Sequence, residues 1–217
     1  MEKDWVLTID YLESIDSTQK YLKNLLQKKK VVSPYAVVAK MQTQGQGSRD
    51  NSWIGLEGNL FLSFCVPLES LPKDLKLASA SIYFAYILNM TLEEENSQIW
   101  LKWPNDFYLQ DLKVGGMITN IVKDSLVCGV GLNLKSAKED FTKLDIEISR
   151  EDLLEKYFLN LEKGFSWKQV FSKYKLKFYK NQNFSTHNKK EKISLGDASL
   201  LEDGSISINN ERIYSLR

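Results

Sequence analysis

Residues 102–116 run Lys102-Trp-Pro-Asn-Asp-Phe-Tyr-Leu-Gln-Asp-Leu-Lys-Val-Gly-Gly116 and are the segment on which the prediction of a fold and a site depends. Two lysines, an Asn-Asp pair and a Gly-Gly pair fall within this one segment. Glycine lacks a side chain, so the backbone there can come close to a ligand. The segment therefore predicts a site in which two cations and one carboxylate surround a ligand. Such a site suits a reaction that brings two anionic groups together.

The same segment predicts a sheet around the site. Gln98–Trp103 has strand character and should stop at Pro104, because proline cannot extend a ladder of backbone hydrogen bonds. Phe107–Leu109 and Leu112–Val122 flank a two-residue turn and predict a hairpin. A further strand is predicted over Leu126–Leu134.

The rest of the chain adds helices and outer strands. Strands are predicted at Trp5–Tyr11, Tyr35–Met41 and Gly58–Val66. Apolar residues at helical spacing predict helices over Gln19–Lys30, Leu75–Leu92, 149–163 and 166–180, the last two with serine caps. Together these elements predict an α+β fold, in which a mixed, mostly antiparallel sheet is covered by helices on one side.

Residues 184–217 differ in character from the rest. Short apolar runs alternate there with the turn signals Asp203-Gly204 and Asn209-Asn210. A segment this small cannot bury a core of its own. We therefore expect a main domain over residues 1–183 and a small β domain over 184–217 docked on it.

Composition excludes several classes of function. The chain has 217 residues, 43% hydrophobic and 26% charged, with a net charge of +1. This balance is that of an ordinary globular protein and favours neither DNA nor membrane partners. Cys65 and Cys128 lie in apolar runs and are predicted to be buried, reduced thiols. The N-terminus has no apolar secretory core, so a cytoplasmic location is expected.

A long polar loop over Gln42–Trp53 is a second candidate for ligand contact. Its glycines offer backbone N–H groups, Arg49 offers charge and Trp53 offers a flat apolar face. The loop has no GxxxxGK[ST] pattern, so it is not a P-loop. Ser17 and Thr18 precede the first helix, where each could cap the helix or present its hydroxyl to a ligand.

Four segments, taken in order, resemble the biotin protein ligases. Lys102-Trp-Pro-Asn-Asp106 matches that family's KWPND signature, and Lys113-Val-Gly-Gly-Met117 is similar to its K-[LV]-[AG]-G-[IM] segment. Gly129-Val-Gly-Leu-Asn133 resembles its GxGxN strand, and Ile15-Asp-Ser-Thr18 resembles its first ligand-contacting turn. The resemblance implies a class II synthetase-like catalytic fold with a small C-terminal SH3-like β-barrel. No winged helix precedes residue 9, so the short form without a DNA-binding domain is expected.

The resemblance implies a two-step reaction. Biotin's carboxylate attacks the α-phosphate of ATP to give biotinyl-5'-AMP and pyrophosphate. A lysine of a biotin carboxyl carrier protein, such as an acetyl-CoA carboxylase subunit, then takes the biotin and releases AMP. ATP, biotin and Mg²⁺ are the expected ligands. The expected assembly is a monomer or weak homodimer, with no DNA and no membrane partner.

Residue roles follow from the same resemblance. The residues expected to act in catalysis are Lys102, Asp106, Lys113 and Arg49, with Lys113 between the biotin carboxylate and the α-phosphate, and Asp106 also expected to hold Mg²⁺. Biotin binding is expected from Ser17, Thr18, Gln42, Gly45, Gly47, Lys113, Gly115, Gly116, Gly129 and Gly131. Nucleotide binding is expected from Arg49, Trp53, Lys102, Asn105, Lys113, Asn133 and Arg217.

Two other interpretations are kept open. A lipoate ligase or octanoyltransferase would share the expected fold, but those families lack KWPND. A protein that binds biotin or its adenylate without turnover is the non-enzymatic alternative. Retention of Lys102, Asp106 and Lys113 argues against it.

The loop departs from the family's arginine-rich pattern. Gln46, Ser48 and Asn51 stand where arginines are usual, and Arg49 is the one arginine left. Because Ser48 replaces a phosphate-contacting arginine of relatives, we predict that Ser48→Arg slows the dissociation of biotinyl-adenylate. Stopped-flow or chase measurements of the off-rate check this. An unchanged off-rate in the variant would contradict this prediction.

Overall fold

One seven-stranded sheet forms the centre of the protein. The structure, a computed structural model, describes residues 7–47, 52–53, 55–188 and 191–215. The strands of the sheet are β1 (Thr8–Ile15), β2 (Tyr35–Gln42), β5 (Leu60–Pro67), β6 (Trp100–Lys102), β7 (Asp106–Leu109), β8 (Leu112–Val122) and β9 (Ser125–Leu132). Across the sheet their order is β1-β2-β5-β9-β8-β7-β6. Only β1 and β2 pair in parallel among the neighbours of this sheet, so the predicted mixed, mostly antiparallel sheet is confirmed.

Helices cover both faces of this sheet. They are α1 (Thr18–Gln27), α2 (Ala80–Glu94), α3 (Arg150–Glu162) and α4 (Trp167–Lys177). Leu22 of α1 packs in one cluster with Cys65 and Val127 of the central strands, whereas the adjacent residues Phe64 and Cys128 pack in another cluster with α2 and α3. The expectation of helices on one side was therefore wrong. Successive strand residues point to opposite faces, and the central strands are apolar on both.

The larger core lies on the α2 face. Every residue from Ala80 to Leu92 is buried, and the ring of Phe64 makes edge contacts with Phe84 and Tyr157 at centroid distances of 5.6 and 5.8 Å. The Tyr157 hydroxyl donates to the Phe84 carbonyl at 3.0 Å, so its polar atom is satisfied inside the core. None of the helices in the described ranges is long and apolar enough to cross a membrane.

Element boundaries agree with prediction where local signals are strong. Ser149 accepts from the Asp152 amide, and Ser166 forms a capping box with Gln169, as the sequence indicated. Helix α1 ends three residues earlier than predicted, at Gln27, because Lys29 adopts a φ of 55°. The first strand extends beyond the predicted end to Ile15.

The C-terminal strands form two small sheets. One pairs β10 (Ser185–Asn188) with β11 (Glu191–Ser194), and the other has the order β12 (Ser199–Leu200), β13 (Ile206–Ile208), β14 (Glu211–Ile213). In the described part of the chain these pairings do not close a barrel. Asn209 and Asn210 both have positive φ, 50° and 65°, as a tight hairpin turn requires. The domain boundary at residue 184 stays a prediction. Apart from the main sheet, β3 (Gly45–Gln46) pairs with β4 (Ser52–Trp53) in a two-stranded sheet of its own.

Asp203 fastens the C-terminal sheets to the main domain. Its carboxylate lies 2.6 Å from Arg212 and 3.4 Å from Lys76, and it accepts from the Ser205 hydroxyl at 2.6 Å. Ser79 donates to its backbone carbonyl. Burial alone would raise the pKa of Asp203, but the hydrogen bonds from Arg212 and Ser205 outweigh burial and hold that pKa well below its usual range.

We predict that Asp203→Asn lowers the free energy of unfolding at pH 7 by about 1.5–3 kcal/mol, the scale of a hydrogen bond to a charged group. Because the folded-state pKa is depressed, the carboxylate stabilises the wild type fully above the unfolded pKa of about 4 and less as pH falls below it. Chemical unfolding at pH 7 and pH 3 should show the difference between wild type and variant shrinking. A difference that stays constant would contradict this account of Asp203.

Candidate active site

A cavity opens on the α1 face of the sheet, at the N-terminal end of α1. Its volume is about 50 Å³, and strands β5, β8 and β9 form its floor while the β3–β4 hairpin lies over it. Many of the residues singled out from sequence line it, namely Ser17, Thr18, Gln42, Gly47, Trp53, Asn105, Asp106, Lys113, Gly116, Gly129 and Gly131. Segments separated by more than 100 residues in sequence thus meet at one site.

One end of the cavity is polar and uncharged. The Thr18 amide and hydroxyl both donate to Gln42 Oε1, at 2.8 and 2.9 Å, and the same hydroxyl lies 2.9 Å from Ser63 Oγ. Ser17 instead caps α1 by accepting from the Lys20 amide. The two adjacent residues therefore have different roles: Ser17 caps the helix, and Thr18 belongs to a buried hydrogen-bond network beside the cavity.

The other end carries a charged triad. Asp106 lies 2.7 Å from the Lys113 ammonium and 3.7 Å from that of Lys102, whose side chain is only 9% exposed. The pairing of β6, β7 and β8 sets this arrangement, since Lys102 lies opposite Asp106 and Asp106 lies opposite Gly116. Two cations share one carboxylate, so the triad carries a formal charge of +1.

Three buried polar atoms at the cavity make no hydrogen bond within the described residues. They are Gln19 Nε2, Trp53 Nε1 and Asn105 Oδ1. Two other hydrogen bonds hold Asn105 in place. Its side-chain Nδ2 donates to the Met117 backbone carbonyl, and its backbone carbonyl accepts from the Met117 backbone amide. Buried polar groups are nearly always paired in proteins. These two donors and one acceptor are therefore candidates for hydrogen bonds to a ligand.

Three glycines at the site, Gly129 and Gly131 of β9 and Gly45 of β3, leave space that neighbouring residues occupy. A Cβ added at Gly131 would lie 2.5 Å from Trp53 Nε1, and one added at Gly129 would lie 3.2 Å from the Gln19 amide. A Cβ at Gly45 would collide with the Trp53 carbonyl at 2.5 Å. These positions need glycine because of close approach, not because of an unusual backbone conformation.

The segment 135–148, which has no clear periodicity in the sequence, contacts residues of the site. The Phe141 ring meets the Trp53 ring edge-on at 5.9 Å, and the Thr142 amide donates to the Lys113 carbonyl at 3.0 Å. Buried Asn59 anchors the segment by donating to the Ser136 carbonyl at 2.8 Å and accepting from the Lys135 amide at 3.1 Å. No pattern in the sequence linked Phe141 or Asn59 to the site, because both act through contacts between distant residues.

Some predicted residues lie elsewhere. Asn133 does not line the cavity, since its amide nitrogen donates to the Thr142 carbonyl at 3.2 Å and its amide oxygen accepts from Asn59 at 3.1 Å. Its role in nucleotide binding stays a prediction. Gly115 faces the backbone of Gly131 and Leu132 rather than the cavity. Arg49 and Arg217 lie outside the described residues, as does Ser48.

The donor set at the triad does not fit a protein-built metal site. Within the described ranges no three His, Cys, Asp or Glu side chains come together as metal ligands. Asp106 is the one carboxylate lining the cavity, and lysine ammonium groups face both of its oxygens. The Mg²⁺ role of Asp106 therefore stays a prediction.

The fold and the site define a class of protein: an α+β domain with one open sheet, whose cavity joins an uncharged polar end to a cationic end. Residues 11–135 match the sequence profile of the biotin/lipoate A/B protein ligase family. The chain belongs to that family. The resemblance drawn from the four motifs is thereby confirmed.

Individual relatives carry more specific names. The crystal structure of biotin acetyl coenzyme A carboxylase synthetase from Helicobacter pylori, with bound biotinylated ATP, is similar with a TM-score of 0.92 and 38% identity over 96% of this chain and 100% of that one. Biotin protein ligase from Aquifex aeolicus, in complex with biotin and ATP, has the same fold with a TM-score of 0.78 and 24% identity over 97% and 96% of the two chains.

The bifunctional ligase/repressor BirA of Escherichia coli strain K12 is 30% identical over 138 residues, which are 58% of this chain and 40% of that protein. The chain thus spans about two fifths of the length of such relatives.

We predict that Asn59→Ala destabilises the fold by about 1–3 kcal/mol, because it leaves buried backbone and side-chain partners unpaired. It should also free residues 135–142 from the site. Hydrogen exchange should show faster exchange at the Lys135 and Ser136 amides than in the wild type. As a control, Asn96→Ala changes an exposed turn and should leave those amides unchanged. Equal protection in the Asn59 variant would contradict the anchoring role.

Proposed function

We propose that this protein activates biotin with ATP to form biotinyl-5'-AMP and transfers the biotin to a lysine of a biotin carboxyl carrier protein. One observation carries the proposal: two lysines converge on Asp106 beside a cavity whose opposite end is polar and uncharged. A ring system with hydrogen-bonding groups suits the uncharged end. A carboxylate on a short tail would then reach Lys113.

The cations address the main barrier of the first step. Two unit negative charges 4 Å apart repel each other by about 4 kcal/mol at an effective dielectric constant of about 20. An ammonium group near both charges offsets this repulsion, and a preorganised one does so without rearranging during the reaction. Lys113 is assigned to the space between carboxylate and α-phosphate, and Lys102 to the phosphates. Asp106 holds both ammonium groups in position.

Each step balances in bonds and charge. A biotin carboxylate oxygen attacks the α-phosphorus, and the bond from that phosphorus to the bridging oxygen breaks to release pyrophosphate. In the second step a neutral lysine amine of the carrier attacks the carbonyl carbon of the mixed anhydride. The bond to the phosphate oxygen breaks, and AMP leaves. The amine proton passes to solvent or to a nearby base, for which Asp106 is the candidate.

Water must be kept from the mixed anhydride between these steps. The contact of Trp53 with Phe141 brings two separate segments together over the cavity. We assign these rings to the cover of the adenylate, because apolar surface over the anhydride excludes solvent. Asn105 is assigned to ligand positioning through its unpaired oxygen. Mg²⁺ enters the proposal only as the usual companion of the ATP substrate.

The acceptor is a carrier domain of the acetyl-CoA carboxylase type, with no DNA and no membrane involved. Monomer or weak homodimer remains the expected assembly. Cys65 and Cys128 are both buried free thiols, which supports the predicted cytoplasmic location.

Biotin-dependent exchange between ATP and pyrophosphate tests the function directly. Exchange with biotin, followed by biotinylation of a carrier domain, is the expected result. Exchange with lipoate or octanoate but not biotin would move the protein to the lipoate branch of the family. Biotin binding without exchange would favour the non-enzymatic alternative.

We predict that Lys113→Met reduces this exchange by about 10²–10³-fold, the usual effect of removing one preorganised electrostatic contact. Transfer from pre-formed biotinyl-adenylate should fall much less, because that step no longer joins two anions. Lys156→Met is a matched control, since Lys156 also pairs with a carboxylate, Glu95 at 2.7 Å, but on α3. Equal exchange by Lys113→Met and the wild type would refute the electrostatic role.

A further inference from the structure

The side chain of Gln19 has no part in the roles assigned so far. The residue is only 5% exposed and lines the cavity. Its amide nitrogen is buried and makes no hydrogen bond to any described residue. Leaving such a donor unpaired costs free energy, so its retention at a cavity wall points to a ligand acceptor.

The surrounding backbone fixes where this donor can lie. Gln19 is the second residue of α1, and the Ser17 cap orients this first turn. Its side chain crosses β9 above Gly129, where an added Cβ would lie 3.2 Å from both Cδ and Nε2. The Gln19 side-chain amide thus occupies the space that is free because Gly129 has no side chain.

The position along β9 separates Gln19 from the cations. Gly129 precedes Gly131 by two residues, and Gly131 pairs with Gly116, which lies opposite Asp106. Two strand residues span about 7 Å. Gln19 therefore faces the uncharged end of the cavity, on the same side as Thr18.

The chemistry of a biotin-like ligand selects the acceptor. At its ring end such a ligand offers a ureido carbonyl, which is a strong acceptor, and a thioether, which is a weak one. A buried amide donor gains most from the carbonyl. We propose that Gln19 Nε2 donates a hydrogen bond to the ureido carbonyl oxygen and is a specificity-determining residue for ureido-bearing acids over dithiolane acids. This inference rests on the proposed function.

Gln19→Met tests the inference, because methionine has nearly the same length and shape but no donor. In biotin-dependent exchange, the KM for biotin should rise about ten- to a hundred-fold with little change in kcat or in the KM for ATP. Titration calorimetry with biotin should show the same fold-change in Kd. Desthiobiotin, which keeps the ureido group but lacks the sulfur, should lose affinity by the same factor.

Thermal unfolding separates binding from folding. The ligand-free variant should have a higher Tm than the wild type, because an unpaired buried amide has been replaced by an apolar group. A merely structural glutamine would give a lower Tm. Gln27→Met, the same substitution at the exposed end of α1, is the matched control for both measurements.

The outcomes distinguish the two proposals. If the wild type neither binds biotin nor supports exchange, the proposed function fails. If the wild type does both and Gln19→Met binds biotin equally well, only the inference about Gln19 fails. An affinity loss confined to biotin, with desthiobiotin unaffected, would identify the thioether as the acceptor and also overturn it.

Discussion

The sharing of one carboxylate between two lysines is the interaction on which the site depends. Lys102 is nearly buried, and a buried ammonium group is costly unless a counter-charge lies close by. Asp106 supplies that charge and orients Lys113 as well, at 2.7 Å. The two lysines and one aspartate leave a formal charge of +1, which favours the binding of anionic groups in the cavity. The pairing of β6, β7 and β8 sets this geometry.

The two faces of the sheet serve different purposes. The α2 face carries the large core, with closely packed aromatic rings such as Phe64 and Tyr157. The α1 face carries a smaller core around Leu22 and then opens into the cavity. Unpaired polar atoms such as Gln19 Nε2 and Asn105 Oδ1 lie on this second face. Buried polar atoms without a partner also occur in the large core, at Ser81, Asn89 and Tyr174. The unpaired atoms that point to a ligand are therefore the ones that line the cavity.

The C-terminal part of the chain holds Trp103, the residue next to Lys102, by hydrogen bonds. The Trp103 amide donates to Asn181 Oδ1 at 2.8 Å, and its indole N–H donates to the Gly204 carbonyl at 2.9 Å. Trp103 immediately follows Lys102, so these bonds help to fix the base of the charged triad. Asp203, next to Gly204, ties the same turn to Lys76 ahead of α2. The small sheets therefore act as part of one structure with the main domain.

The sequence by itself determined the chemistry of the site and most of the secondary structure. Lys102, Asp106 and Lys113 were identifiable because they lie within twelve residues, and the hairpin between them follows from strand alternation and a short turn. Tertiary structure alone decided which face of the sheet α1 covers, that Phe141 meets Trp53, and that Gln19 rather than Asn133 lines the cavity. These features depend on contacts between residues far apart in the chain, and periodicity and local motifs describe only neighbours.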